Sequence, residues 1–148
     1  MTEIRRLSAE NIEEIKKLFR DIFTKEPWND DWSDDAQLHA YITDLTGNQN
    51  SLTLGLYVDG TLTGLSMGSV MHWYMGTEYY IYELCIKTEE QGKGLGTEFL
   101  KKIEAYISER GMTHIYLQTE RNVPAYGFYI KNGFAELEGH ASLAKFLK

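Results

Sequence analysis

The chain has one cysteine, Cys85, and two prolines in 148 residues. A single thiol excludes an internal disulfide, and its place in the apolar run Leu84-Cys85-Ile86 points to a buried, inert side chain rather than a nucleophile. No apolar run is long enough to cross a bilayer, and the opening MTEIRRLSAENIEEIKKLF lacks the apolar core of a signal peptide. A cytoplasmic protein with no membrane partner is therefore expected. Basic charge is also scarce: 15 Lys and Arg stand against 22 Asp and Glu, and the net −7 argues against a nucleic-acid partner. His39, His72, His114 and His140 fall at no spacing that makes a metal site, so no metal is expected. Repeats, low-complexity segments and linkers are absent. What is present is a chain 43% hydrophobic and 13% aromatic, suited to one domain over residues 1–148 with a substantial core.

TEIRRL alternates and reads as a first strand. Behind a capping Ser8, the residues Ile12, Ile15, Leu18, Phe19, Ile22 and Phe23 recur at helical spacing. After a break at Pro27, a second helix is expected from Asp34 to Thr46, ending at Gly47. Two strand-like runs then flank Asp59-Gly60, a favoured hairpin turn, and a third, TEYYIYELCIK, follows Met75-Gly76. These make an antiparallel meander. Leu95, Phe99, Ile103 and Ile107 form the stripe of a helix that stops at Gly111, HIYLQTE is the next strand, and a parallel pair is expected across that helix. A short helix opened by Pro124 and closed by Gly133 follows, and GFAELEG and SLAKFLK are expected as closing strands. The order predicts an α+β fold: a mixed, mostly antiparallel sheet with flanking helices and one parallel strand-helix-strand unit.

Three glycines, Gly92, Gly94 and Gly96, crowd the start of the third helix in EEQGKGLGTEF. Glycine costs backbone entropy, so the cluster calls for positive φ or for close approach of another molecule. A plain strand-to-helix connection is one reading. An anion cradle is the other, since the first amides of a helix lack intrahelical partners and carry the positive end of its dipole. The dinucleotide fingerprint does not fit the residues after Gly94, and a P-loop needs Ser or Thr where Gly94 follows Gly92-Lys93. Gln91-Gly92-Lys93-Gly94-Leu95-Gly96 instead resembles the Arg/Gln-x-x-Gly-x-Gly/Ala loop of the GNAT superfamily of N-acetyltransferases. NVPAYGFYIKNGF, residues 122 to 134, resembles that family's Asn-x-x-Ala-x-x-Phe-Tyr-x-x-x-Gly-Phe segment. The element order matches the family layout over nearly the whole chain, and compact aminoglycoside 6′-N-acetyltransferases are the most similar in size and acidity.

The resemblance implies acetyl-CoA as cosubstrate and direct attack of an amine on the thioester, with no acyl-enzyme. It implies that backbone from Gln91 to Thr97, including Lys93 and Leu95, holds the pyrophosphate, and that Leu84, Cys85 and Ile86 serve the pantetheine amides and the oxyanion. Asn122 matches a coenzyme-holding asparagine, though a helix cap before Pro124 explains it equally. Tyr129 falls on the family tyrosine that acts as general acid. For the base, Glu83 lies mid-strand, where half-burial raises a carboxyl pKa, and Glu78 is a second candidate. The acceptor is expected to meet Trp28, Asp30 and Asp31 of WNDDWSDD, where carboxylates and aromatic faces suit a cation. A solvated loop capping the next helix is the alternative. His72 is placed either along the acceptor cleft or as a structural strand-end residue. A cationic small-molecule amine such as an aminoglycoside or polyamine is the expected acceptor, with protein or peptide amines, or a non-catalytic acetyl-CoA sensor, as rivals. Edge strands around SLAKFLK offer a route to a homodimer.

Overall fold

The computed structural model describes residues 1–148, in two compact units, Met1–Gln118 and Thr119–Lys148. The first contains strands β1 (Thr2–Leu7), β2 (Ser51–Val58), β3 (Thr61–Trp73), β4 (Gly76–Ile86) and β5 (His114–Leu117). Its helices are α1 (Ile12–Phe23), α2 (Asp35–Thr46) and α3 (Leu95–Glu109). The strands form one sheet in the order β1-β2-β3-β4-β5, antiparallel until the parallel β4–β5 pair. Local chemistry sets the ends. The Ser8 hydroxyl accepts the Glu10 N–H at 3.2 Å and Asn11 Oδ1 accepts the Ser8 N–H at 3.0 Å, a capping box just before α1. The hairpin between β2 and β3 turns on positive φ at Asp59 (48°) and Gly60 (83°). No helix is long and apolar enough to cross a membrane.

The sheet buries both faces. Ile15, Phe19 and Ile22 of α1 and Leu38 and Ile42 of α2 pack with Leu7, Tyr57, Leu65, Met67 and Cys85. Phe99, Ile103 and Ile107 of α3 pack with Leu52, Leu54, Leu56, Tyr79 and Ile81. One irregularity matters for the site. Met67 of β3 pairs with Glu83 but Gly68 pairs with Ile81, so Tyr82 is an extra residue bulging from β4. Before the bulge Tyr79 and Ile81 pack with α3; beyond it Cys85 joins the α1–α2 core while Leu84 and Ile86 lie against the α3 cluster. The alternation is thus reversed, and Glu83 turns toward α2. Gly68 permits this closeness, because an added Cβ would sit 2.0 Å from the Tyr80 carbonyl oxygen.

The second unit holds α4 (Pro124–Lys131), with proline in the first turn, and Gly133 at φ 92° two residues beyond it. Tyr129 lies between Phe128 and Phe134, ring centroids 5.5 and 5.2 Å away. Glu136 accepts from the Tyr126 hydroxyl at 2.8 Å and pairs with Arg121. The closing strands expected in GFAELEG and SLAKFLK do not form: residues 134–148 contain no strand. GFAELEG mixes Ala, Glu and Gly, which are poor strand formers, and Leu143, Phe146 and Leu147 follow a spacing of three and one rather than strict alternation. The edge strand invoked as a route to a homodimer is therefore missing from that segment.

Candidate active site

Beyond Ile86 the chain makes a short turn over Thr88–Glu90 and enters the glycine loop. Gly92 and Gly94 have φ of 80° and 79°, so both need the left-handed backbone that glycine adopts freely. Both also face open space, with nothing within 4 Å of an added Cβ. Gly94 is the N-cap residue of α3 and supplies no side-chain cap. Gln91 N–H donates to Thr88 O at 3.2 Å and Glu98 N–H to Gly94 O at 3.1 Å; the six amides between, from Gly92 to Thr97, have no backbone acceptor. They open a helix of 15 residues, at its positive end. Gln91 Nε2 donates to Ile86 O at 3.0 Å and fastens the loop to β4. Lys93 is engaged with Glu90 at 3.0 Å.

The end of β4 beside this loop is open along one edge. β5 pairs only with Glu78 to Ile81, whereas β3 continues to pair with β4 as far as Ile86. From Tyr82 to Ile86 the second edge of β4 has no strand partner, which leaves the backbone groups of Leu84 and the Ile86 N–H for an added extended ligand, while Cys85 bonds across to β3. The Cys85 side chain takes no part: it is 8% exposed in the α1–α2 core, and burial pushes its thiol pKa well up.

Glu83 stands on the same stretch, half-buried, its Oε2 accepting the Tyr41 hydroxyl of α2. Burial raises its pKa most, the Tyr41 hydrogen bond opposes this, and the Asp30 charge adds to the rise. The other loop aspartates are engaged elsewhere. Asp31 accepts the Ser33 N–H at 3.0 Å, and hydrogen bonds from Ser33 lower its pKa. Asp34 caps α2 by accepting the Gln37 N–H at 3.1 Å, and Asp35 pairs with Lys16 at 3.0 Å and Arg20 at 2.9 Å. The capping alternative holds for Asp34.

Of the remaining expected residues, Trp28 packs on Phe23 at 5.6 Å. His72 pairs opposite Thr77, roughly 17 Å along β3 from the level of Glu83 at 3.4 Å per residue. Glu78 is bonded to His114 Nε2 at 3.0 Å, at the other end of β4 from the loop. Asn122 does not cap α4, whose N-cap is Val123 with no side-chain bond. Two features escaped the sequence reading. Tyr41 lies in a core stripe with no motif to mark it. Tyr80 stacks on the half-exposed Tyr82 at 4.5 Å and touches Tyr116 at 4.9 Å, a row of rings whose arrangement depends on the bulge.

The sequence profile of the acetyltransferase (GNAT) family matches residues 12–134. The chain belongs to this family. The GNAT protein is an acetyl-CoA-dependent N-acetyltransferase. Solved structures share its fold at low identity. An aminoglycoside acetyltransferase from an uncultured soil metagenomic sample, in complex with sisomicin, is 20% identical, over 99% of this chain and 97% of that one, with a TM-score of 0.75. A ribosomal-protein-alanine N-acetyltransferase from Brucella melitensis biovar Abortus 2308 is 17% identical over 99% and 100%, with a TM-score of 0.75. A possible acetyltransferase from Clostridium difficile 630 is 16% identical over 100% and 99%, with a TM-score of 0.81. No curated protein sequence matches the chain. The GNAT cosubstrate fits the residues present: uncapped amides at a helix N-terminus, cleared of Cβ atoms at Gly92 and Gly94, suit its pyrophosphate.

Proposed function

We propose that the enzyme acetylates a primary amine of a cationic small molecule, such as an aminoglycoside or a polyamine, by direct transfer. The observation that carries this reading is the half-buried Glu83 carboxylate of β4, which accepts the Tyr41 hydroxyl, while the Tyr41 ring stacks on Trp32 of the acidic segment that also carries Asp30 and Asp31. Carboxylates grouped with aromatic faces favour a cationic acceptor over an acidic one.

Acetyl-CoA supplies the activated acyl group and a thiolate leaving group. The amides from Gly92 to Thr97 hold its pyrophosphate, and the β4 backbone at Leu84 and Ile86 pairs with its pantetheine arm. Asn122 assists in holding the coenzyme. Asp30 attracts the acceptor ammonium. Glu83, with its raised pKa, takes the proton from that ammonium, directly or through a water molecule, so that the amine is a nucleophile. The Tyr129 phenol returns a proton to the departing sulfur. Proton transfer of this kind contributes roughly 10²–10⁴ in rate, and Tyr129→Phe is expected to lose a comparable factor in kcat while remaining folded.

The test is release of free coenzyme A thiol from acetyl-CoA with kanamycin, spermidine and an alanine-terminated peptide as acceptors. Turnover of kanamycin or spermidine, with KM raised in Asp30→Asn, is the expected result. Turnover of the peptide alone would favour the protein-acetylating reading, which the Brucella neighbour's name supports as an analogy. Binding of acetyl-CoA without turnover of any acceptor would favour the sensor.

A further inference from the structure

Assigning the base to Glu83 leaves the role of Tyr41 open. A tyrosine that only fills the α1–α2 face needs no hydroxyl, and phenylalanine would pack equally well. Tyr41 does more, because three parts of the site meet on it. Its hydroxyl donates to Glu83 Oε2. One ring face stacks on Trp32 of the acceptor loop, at 5.4 Å and 15°, and Phe19 of α1 approaches edge-on at 5.9 Å and 63°. Burial, the largest cause, and the facing carboxylate push its own phenol well above the usual range, so it stays a donor at every working pH.

The groups around Glu83 show what this donor opposes. The loop contributes the Asp30 carboxylate, and α2 contributes Asp44 near Tyr41. Its own strand contributes the neutral Cys85 thiol, and β3 places Met67 opposite it. Burial and Asp30 both favour the protonated acid, and Tyr41 is the hydrogen-bond donor acting against them.

We infer that Tyr41 is a positioning residue for acetyl transfer: its hydroxyl holds the Glu83 carboxylate in one orientation as the acceptor of the substrate proton, and its ring couples that carboxylate to the acceptor loop through Trp32. The inference rests on the reading of Glu83 as the base. Tyr41→Phe keeps the ring, and with it the stack and the fold.

The experiment is a pH titration of the Glu83 side-chain carboxyl carbon by NMR in 13C-labelled, unliganded protein, with Glu83→Gln to assign the resonance. A hydrogen bond to a charged group is lost in Tyr41→Phe, so the Glu83 midpoint is expected to rise by about one to two pH units. The acid limb of kcat/KM for the best acceptor of the panel should move upward with it, with KM for acetyl-CoA unchanged. An unmoved Glu83 midpoint in folded Tyr41→Phe overturns the inference. A midpoint that moves while the acid limb stays in place, or an acid limb that survives in Glu83→Gln, removes Glu83 as the base instead, so the two failures are distinct.

Discussion

Replacing Gly94 by alanine separates the backbone role of this glycine from its proposed role in coenzyme binding. At φ 79° the new side chain is strained, at a cost of about 1–2 kcal/mol for the left-handed conformation. Nothing lies within 4 Å of the added Cβ, so no steric clash adds to that figure and the protein folds. For a chain of 148 residues the loss corresponds to a drop in Tm of about 2–8 °C. Coenzyme A at roughly 100 times its Kd adds about 2.7 kcal/mol to wild-type stability, or roughly 5–10 °C in Tm. In Gly94→Ala the methyl group stands before the uncapped amides, and this increment should fall to near zero. Gly111 provides the control: φ is 80°, the Cβ position is equally open, and it follows the far end of α3. Gly111→Ala should lose comparable stability and keep the whole coenzyme increment. The assay is thermal unfolding of the three proteins with and without coenzyme A. A full increment in Gly94→Ala, or loss of the increment in both variants, would refute the loop as the pyrophosphate site.

Gly68→Ala should cost about 3 kcal/mol in urea unfolding, because its Cβ would lie 2.0 Å from backbone at the bulge and the β3–β4 ladder cannot yield cheaply; a wild-type midpoint would sink this account of the bulge. Asp30→Asn removes a like charge from Glu83, so the carboxylate stays ionised to lower pH and the acid limb of kcat/KM should shift downward. A limb that did not move would separate Asp30 from the base.

The elements that were legible in the sequence are those whose signals are local. Ser8 before the Ile12–Phe23 stripe, Asp34 before α2 and Asp59-Gly60 between two alternating runs each carry their own cause, and the structure realises them within a residue. The acidic loop was legible as a composition but not as an assignment. Three of its four aspartates divide among a turn, a cap and an ion-paired network, and that division depends on Ser33, Gln37, Lys16 and Arg20. The C-terminal strands failed for a related reason, since apolar residues without strict alternation supply no sheet face.

The bulge at Tyr82 shows most clearly why a site residue can be named from sequence before its setting can. Strict alternation along β4 would put Glu83 on the face of Tyr79 and Ile81, inside the α3 core. A carboxylate buried there without a partner costs several kcal/mol and neutralises itself by taking up a proton. One unpaired residue changes the phase, and Glu83 then meets Tyr41 and the Asp30 charge on the α2 side, while the strands still pack on both faces. Periodicity in the sequence carries no mark of this, because the signal resides in the partner strand: Gly68, whose missing Cβ lets the Tyr80 carbonyl come close. The Glu83 carboxylate and its hydroxyl donor Tyr41 thus depend together on a glycine of another strand, Gly68 of β3.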